Sequence, residues 1–312
     1  MVNVGSPNTG NDRRGFSFVV FIVIIGFSIA RAVATFFTNY LWFDSVNLNS
    51  VWLKILLTKA SLVGATSLLA FAFIFINLRL AVRATPVMDI FESFESQDPL
   101  SRFRAWTNER FLRYRLWGSI GLSLFLGAGA SQLWEQVLLF LNQKSFGITD
   151  PIFNTDVSSF VFDLPLYRLF VSWGFQLVVF TSLIIILFFI ATGALQINQG
   201  RLPEVSSGAK AHLSVLLAFI ALLKALSYRL DSMELLYSLR GKVFGASYTD
   251  VVAHLPALNL LILISLFGAV LLLVNIKRRG WLLPVTAISL WLAVSIIAVS
   301  YTHLTLPTIL PV

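Results

Sequence analysis

The chain has 312 residues, of which 57% are hydrophobic and only 12% are charged, about half the charged share of an ordinary soluble domain. So little charge cannot cover a water-facing surface. The net charge of +8 does not indicate nucleic-acid binding, because the basic residues cluster between apolar runs instead of forming one patch. With 0 cysteines, disulfides, thiolate catalysis and cysteine metal sites are excluded.

Seven apolar runs are long enough to cross a bilayer, which takes about 17–25 residues. They cover residues 16–37, 51–77, 116–141, 166–197, 212–228, 255–276 and 281–299. We therefore predict an all-α fold, a polytopic transmembrane helix bundle with seven spans. Residues 1–14 are expected to form a disordered cytoplasmic tail, and residues 15–299 the membrane domain.

The distribution of positive charge predicts the orientation of the bundle. The connection at residues 78–115 holds seven arginines: Arg79, Arg83, Arg102, Arg104, Arg110, Arg113 and Arg115. The N-terminus and the three connections on its side hold 14 Lys and Arg residues, whereas the connections at residues 38–50, 142–165 and 229–253 hold 4. Because positively charged loops stay in the cytoplasm, the N-terminus is predicted inside and the C-terminus outside.

The first span has a second interpretation as a signal peptide. Arg13 and Arg14 precede the apolar run, and residues 32–34 (Ala-Val-Ala) resemble a small-residue cleavage site. The apolar run continues past that site to Phe37, which favours a retained helix. In both interpretations the chain begins inside.

The arginine-rich connection has two interpretations as well. Asp98 and Pro99 form a good helix start. Apolar residues then recur at helical spacing, namely Leu100, Phe103, Trp106, Phe111 and Tyr114. This pattern predicts an amphipathic helix on the inner membrane surface. A polar linker that packs only on its own bundle is the alternative.

Four charged residues lie inside the apolar spans: Arg31, Lys59, Glu135 and Lys224. Each costs roughly 2.5–3.5 kcal/mol in hydrocarbon, so each is a candidate functional residue. Their positions along the spans place all four in the outer half of the membrane. They form either a polar cluster that faces an anionic lipid or solute, or independent side chains that snorkel to the outer interface.

The predicted outer connections are rich in aspartate, with Asp150, Asp156, Asp163, Asp231 and Asp250. Such carboxylates can bind Ca²⁺, but their spacing fits no calcium loop. Asp163 and Asp231 serve equally well as helix caps, and Asp231 with Glu234 resembles a capping box that starts a short helix. We therefore predict no metal site, and no catalytic or cofactor-binding grouping is visible either.

Several outer segments resemble motifs of a large bacterial membrane family, uncharacterised protein family 0182. The first is WFDS at residues 42–45, although the Gly-Tyr pair expected after it is replaced by Asn47 and Leu48. The second is DPIFNTDV at residues 150–157 with FVFDLP at 160–165. The third is YRLD at residues 228–231 with ELLYS at 234–238, RG at 240–241 and FGASYTD at 244–250.

This resemblance covers residues 13 to about 299 and implies an integral protein of the bacterial cell membrane. It also implies a large extracytoplasmic domain after the seventh span, which is missing here. Residues 300–312 do not resemble the family and are expected to be a non-native tail, similar to a translated sequencing adapter. The family has no established activity, so the resemblance carries over no catalytic residue.

The sequence thus predicts a multi-pass plasma-membrane protein that anchors an outer domain and acts in membrane or envelope organisation. Its expected partners are membrane lipids, and protein partners are not predicted. A transporter or lipid-handling protein that uses the outer-leaflet charges is the alternative. An intramembrane enzyme is disfavoured, because Glu135 is the lone acid within the spans.

Overall fold

The structure, a computed structural model, describes residues 9–85, 115–196, 204–238 and 245–305. The helices are α1 (Thr9–Ser45), α2 (Asn49–Ala84), α3 (Arg115–Leu141), α4 (Val157–Ala191), α5 (Ser207–Glu234), α6 (Leu255–Arg278) and α7 (Leu282–Thr305). Short irregular turns adjoin three of them: a 3-10 turn within α3 (Gly129–Leu133), a 3-10 turn after α5 (Leu235–Tyr237) and a π turn before α6 (Asp250–His254).

All seven helices are long and apolar enough to cross a membrane, one for each predicted span. For the part of the chain that the structure describes, the prediction of an all-α fold with seven such helices is confirmed. A helix satisfies its backbone hydrogen bonds internally, which is what an apolar solvent demands. The predicted amphipathic segment at residues 100–114 lies outside the described residues.

Two connections are shorter than predicted. Helix α1 continues to Ser45 and α2 begins at Asn49, so most of the predicted connection at residues 38–50 is helical. Its aromatic residues Tyr40, Trp42 and Phe43 lie on the last turns of α1. There Tyr40 contacts Trp52 of α2 edge to face, with ring centroids 5.2 Å apart. Asn47 takes a left-handed conformation (φ 56°), which asparagine tolerates in a tight turn.

Helix α4 begins at Val157, nine residues before the predicted start of the span. The start is set by Asp156, whose side chain accepts a hydrogen bond from the Ser158 backbone N–H at 2.8 Å. Pro165, taken as the end of the connection, lies inside the helix. Residues 157–165 are therefore helical, because the aspartate cap outweighs the proline as a boundary signal for the helix. Their placement outside the membrane, in the connection at residues 142–165, stays a prediction.

The chain divides into two compact units, residues Met1–Thr58 and Lys59–Val312. The core of the second unit is formed where α2, α4 and α5 meet, around the buried side chains of Ile74, Ile185, Phe189 and Leu216. Helices α6 and α7 pack beside α5, with Ala218, Leu272 and Ala287 in a smaller buried cluster. Helix α5 therefore lies at the centre of this unit.

Two glycines allow unusually close helix contacts in the second unit. A Cβ atom added at Gly127 of α3 would lie 2.0 Å from the Ser67 hydroxyl of α2. A Cβ atom added at Gly208 of α5 would lie 2.4 Å from the backbone oxygen of Ala84 at the end of α2. At both places the helices can approach this closely only because glycine has no side chain.

One end of this unit carries a small hairpin, formed by β1 (Leu195–Gln196) and β2 (Glu204–Val205). We call this end, which also includes the start of α5 and the ends of α2 and α6, the hairpin end. Two buried polar contacts tie it together. His212 Nε2 lies 3.0 Å from Asn77 Oδ1, and Asn275 donates to the Ser214 hydroxyl at 2.9 Å.

Candidate functional site

Two sequence segments that are far apart in the chain meet at the other end of α4 and α5. They are residues 142–165 and the described part of 229–255, and together we call them the cap. Phe160, Leu164 and Leu230 are buried at its centre, and Phe153 and Leu236 pack against them. The described parts of the second and third motifs thus pack into one small hydrophobic core. The apolar residues of both motifs therefore have a structural role, since they pack against each other.

An ion network joins α4 to α5 beside this core. Arg168 donates from Nη2 to Asp231 at 2.6 Å and from Nε to Glu234 at 2.7 Å. Its Nη1 also donates to the Ser227 hydroxyl at 3.3 Å. The Arg168 side chain is 23% exposed, so the network lies at the edge of the packed interior. A single guanidinium therefore satisfies two carboxylates from successive turns of α5.

Two further contacts hold the segments together. The Tyr237 hydroxyl donates to the backbone oxygen of Phe160 at 2.5 Å. The Arg229 guanidinium lies over the ring of Phe153, 5.4 Å from its centroid. Both contacts link the end of α5 with the start of α4 or the loop before it. The cap is thus fixed by a core, an ion network and aromatic contacts.

The loop before α4 is organised around the carboxylate of Asp156. One oxygen accepts from the backbone N–H groups of Phe146 (3.2 Å) and Ser158 (2.8 Å). The other oxygen accepts from the Ser145 hydroxyl and from the Gly147 backbone N–H. The Ser145 hydrogen bond, followed by that from Ser158, lowers the pKa of Asp156 well below its usual range. Asp156 is therefore ionised at neutral pH, in the form that accepts all of these hydrogen bonds.

Asp250 is the most deeply buried acid among the described residues, with 0% of its surface exposed. Its carboxylate accepts from the hydroxyl (2.8 Å) and backbone N–H (3.0 Å) of Ser247, and it lies 3.5 Å from His254 Nδ1. It begins the π turn that leads into α6. This widened turn ends two residues before Pro256, whose ring conflicts with the ordinary helical bond to the carbonyl four residues earlier, a carbonyl that lies within the turn.

The four charges predicted within the spans are placed in different surroundings. Arg31 lies on α1 in the first unit and is exposed. In the second unit, Lys59 lies 5.3 Å from the ring centroid of Trp134, and Lys224 lies 4.8 Å from that of Tyr228. Glu135 is exposed and forms no ion pair with another described residue. Each lysine thus has a separate aromatic partner, and a shared anion site stays a prediction.

Two predicted helix caps were wrong. Asp231 and Glu234 do not start a short helix, because α5 continues to Glu234 and both carboxylates receive hydrogen bonds from Arg168. Asp163 lies within α4, and Asp156 caps that helix instead. Asp150 accepts from the backbone N–H groups of Ile152 and Phe153, as in an Asx turn. No group of three metal-ligating side chains occurs in the part of the chain that the structure describes.

Sequence reasoning missed Arg168 and the polar pairs of the hairpin end. Arg168 lies only two residues inside the predicted fourth span, so a charge at the span boundary was the available signal. The pair of Asn77 with His212 and the pair of Asn275 with Ser214 join residues far apart in the chain. No local pattern in a single sequence indicates such partners.

Comparison with known proteins supplies the remaining information. The model of an uncharacterised protein family, UPF0182, matches residues 16–309. A UPF0182 protein of Mycobacterium tuberculosis is 36% identical over 258 residues, which is 81% of this chain and 26% of the relative. A Nocardioides relative is 33% identical over 299 residues, covering 94% of this chain and 29% of the relative. A Nocardia farcinica relative is 34% identical over 266 residues, covering 84% and 26%.

This chain spans about a quarter of the length of the curated relatives that it matches. The names of these relatives state no activity, substrate or partner. No solved structure matches the chain. The family model matches through residue 309, so the expectation that the resemblance ends near Val299 was wrong. That residues 300–312 are a non-native tail stays a prediction.

Proposed function

Since this chain belongs to the uncharacterised protein family UPF0182, whose description names no activity, we propose a function from its architecture. The protein is an integral membrane protein of the bacterial plasma membrane. It anchors and positions extracytoplasmic polypeptide, and its role is in membrane or envelope organisation. No enzymatic step is proposed.

The observation that carries this proposal is the large apolar surface of the helices. Leu187, Leu263, Leu282 and Ile296 are between 64% and 72% exposed, and most of the large exposed hydrophobic residues lie on helices in the same way. Soluble monomers rarely expose contiguous apolar patches of more than a few hundred Å². Lipid is the solvent that suits such a surface, since it costs nothing to place apolar side chains there.

Helix length supports a cap that stands outside the hydrocarbon. The bilayer core is about 30 Å thick. Along α4, Arg168 lies about 35 Å from the helix end at Ala191, at ~1.5 Å per residue. Along α5, Asp231 lies about 36 Å from the helix start at Ser207. The ion network thus falls at the membrane edge, where charged groups remain hydrated, and the cap lies beyond it.

The charge distribution supports an external cap. The connections on the hairpin side carry most of the lysines and arginines, including Lys277, Arg278 and Arg279 after α6. By the positive-inside rule that side is cytoplasmic, so the cap faces outward. The relatives are about four times longer than the matched region, which leaves them ample polypeptide to be anchored.

Lipid handling is the second candidate function. Lys224 lies within a span, and its contact among the described residues is the ring of Tyr228 rather than a carboxylate. An anionic lipid headgroup would complement that charge. The placement over an aromatic ring also suits simple snorkelling toward the interface. We rank the anchor first because it needs no unseen ligand.

Site-directed labelling tests the proposed function, and the chain offers a background with 0 cysteines. Tyr248→Cys places a thiol on an exposed residue of the cap, and Arg278→Cys places one at the exposed end of α6. A membrane-impermeant maleimide should label Cys at 248 in intact cells and Cys at 278 only after permeabilisation. The opposite pattern would overturn the orientation.

A third variant tests the membrane itself. Ile296→Cys replaces a 66% exposed side chain on α7. If lipid covers this helix, the thiol should stay unlabelled in both intact and permeabilised cells and react only in denaturant. Rapid labelling of Ile296→Cys in native membranes would show that water covers this surface, and the membrane assignment would be wrong.

A further inference from the structure

The hairpin end differs from the cap in the sign of its charge. Among the described residues it has one acidic side chain, Glu204, and six basic side chains: Arg79, Arg83, Lys210, Lys277, Arg278 and Arg279. The described part of the cap has the opposite balance, with Lys144 and Arg229 against six carboxylates. None of the six cations forms an ion pair with a carboxylate of the described chain. The hairpin end therefore presents positive charge that these residues do not compensate.

Four of these cations lie at one corner, between the start of α5 and the turn from α6 to α7. Lys210 of α5 lies over the ring of Trp281, with its Nζ atom 5.6 Å from the ring centroid. Residues 277–279 (Lys-Arg-Arg) lie at the end of α6, just before Trp281, and are exposed. The turn is fixed by Asn275, which accepts from the Gly280 backbone N–H at 3.1 Å. We call Lys210, Trp281 and residues 277–279 the basic corner.

The basic corner lies at the cytoplasmic edge of the hydrocarbon, on the proposed function. Along α5, Lys210 lies about 32 Å from Asp231 at ~1.5 Å per residue, and Asp231 marks the outer edge. The hydrocarbon core between the two edges is about 30 Å thick. Trp281 is 38% exposed, and tryptophan is enriched at the level of the lipid headgroups. The corner therefore faces lipid phosphates rather than acyl chains.

The surface next to the basic corner is apolar. Leu282, Val285 and Ile288, on the first two turns of α7, are 72%, 54% and 44% exposed. Acyl chains suit such a surface, whereas a small soluble anion gains nothing from it. Cations at the level of the headgroups and apolar side chains beside them therefore match both parts of a phospholipid.

We propose that the basic corner binds the phosphate group of an anionic phospholipid in the cytoplasmic leaflet, an inference that rests on the proposed function. Lys210, Arg278 and Arg279 supply donors for charge-assisted hydrogen bonds, and arginine can bind phosphate through two of them. Basic pockets between transmembrane helices on the cytoplasmic side recognise such headgroups. The site is separate from Lys224, which lies about 21 Å further along α5. A bound headgroup here fixes the depth of the anchor in the membrane.

Lipid binding is measured on the full chain of 312 residues, purified in detergent. The protein is mixed with equal amounts of phosphatidylglycerol and phosphatidylcholine that have the same acyl chains, and native mass spectrometry gives the ratio of the two bound lipids. Lys210→Gln with Arg279→Gln removes two cations of the basic corner. Lys144→Gln with Arg229→Gln is the matched control, because it also removes one lysine, one arginine and one contact between a cation and a ring, but from the cap.

We expect the parent to bind at least about fivefold more phosphatidylglycerol than phosphatidylcholine, and the corner variant to lose most of that preference. The control variant should keep the parent ratio. If the corner variant does not fold, Lys277→Gln with Arg278→Gln takes its place, since both side chains are exposed at the end of α6.

Three results would overturn the lipid proposal. The first is a parent without preference. The second is an equal loss in the corner and control variants, because net charge alone would then explain the binding. The third is displacement of phosphatidylglycerol by an equal concentration of soluble glycerol phosphate, because the site would then take a free phosphate ester.

Labelling of Arg278→Cys separates this proposal from the proposed function. If its thiol is labelled from outside in intact cells, the proposed orientation fails, and the lipid cannot belong to the cytoplasmic leaflet. If it is labelled only after permeabilisation and the parent shows no lipid preference, only the lipid proposal fails.

Discussion

The cap and the hairpin end of the second unit both hold neighbouring helices together, but through different kinds of polar interaction. The cap joins α4 to α5 through an ion network, in which Arg168 holds Asp231 and Glu234. The hairpin end joins its helices through neutral groups, with His212 on Asn77 and Asn275 on Ser214. Both neutral pairs are at least nine-tenths buried, whereas the ionic groups of the cap are 23% to 43% exposed.

This difference follows from the cost of moving each kind of group out of water. Moving a charged group from water into a low-dielectric interior costs roughly several kcal/mol of free energy. Burying an amide or hydroxyl that forms a hydrogen bond there costs little. Ion pairs between helices are therefore favourable only where water still hydrates the charged groups. The comparison supports an aqueous boundary at the level of Arg168 and a drier interior around Asn275.

The largest expected effect concerns the hairpin end. Gly208→Ala should destabilise the protein by about 3 kcal/mol, because the new Cβ meets backbone of α2 that has no rotamer by which to move away. Gly174→Ala is the matched control, since its Cβ would meet Leu223 at an ordinary 3.6 Å. The control should be neutral or stabilising by about 0.5–1 kcal/mol. Thermal unfolding in detergent measures both, and equal effects would contradict the close approach of α2 and α5.

The next largest effect concerns the buried amide of Asn275. Its side chain donates to Ser214 and accepts from the Gly280 backbone N–H at 3.1 Å, which also fixes the left-handed Arg279 at the end of α6. Asn275→Ala leaves the buried Ser214 hydroxyl and the half-buried Gly280 N–H without this bond and should cost about 2 kcal/mol.

The control for Asn275 is Asn142→Ala. Asn142 is exposed and bonds only within its own helix end, so its loss should cost at most about 0.5 kcal/mol. The midpoints of thermal unfolding of Asn275→Ala and Asn142→Ala are measured at several ionic strengths. The loss at Asn275 should not change with salt, because no charge is involved. A strong salt dependence would show that the hairpin end is not held by neutral groups.

A smaller effect is expected at the cap. Arg168→Leu leaves two carboxylates without their cation, but these groups are partly hydrated, so we expect a loss of about 1–2 kcal/mol. The loss should shrink in 1 M salt, where the Debye length is about 3 Å. Arg229→Leu, which removes only a contact with the Phe153 ring, should cost about 0.5 kcal/mol. A salt-independent loss at Arg168 would place the network in a dry interior and contradict the proposed membrane edge.

These contacts also show what the sequence alone could supply. Apolar runs predicted the seven helices because each helix satisfies its backbone locally, and length and hydropathy are local properties. Their ends were less predictable. Pro165 was taken to end a connection, although the cap residue Asp156 starts α4 well before it. A cap acts through one side chain and the next turn, and several aspartates in that region competed for the role.

The cap was predictable as a set of motifs but not as an arrangement. Sequence motifs marked the segments around Asp156 and Asp231, but the spacing of Asp231 and Glu234 predicted a capping box instead of an ion network. Their true partner, Arg168, is more than sixty positions away in the chain. Contacts of this kind depend on how helices pack, and a single sequence does not carry that information. The four span charges were placed by depth, which says nothing about which face of a helix each occupies.

The smallest expected effect is local and concerns the loop at Asp156. Both of its carboxylate oxygens accept hydrogen bonds, whereas Asp150 accepts with one oxygen only. Asp156→Asn replaces one acceptor with an NH₂ donor, so the amides of Phe146, Gly147 and Ser158 should exchange hydrogen several-fold faster. Asp150→Asn keeps the single acceptor in use, and its loop should exchange at nearly the parent rate.

The pH dependence of hydrogen exchange at the same amides tests how ionisation of Asp156 contributes to the stability of the loop. Because the pKa of Asp156 is lowered by folding, its stabilisation is complete above the unfolded value of about 4 and is lost only as pH falls through the folded pKa. Protection corrected for intrinsic exchange should therefore stay level from pH 7 to pH 4. A loss of protection already between pH 6 and pH 5 would mean that the carboxylate does not receive these four hydrogen bonds. The cap loop would then be held by packing alone, and its contrast with the hairpin end would rest on Arg168.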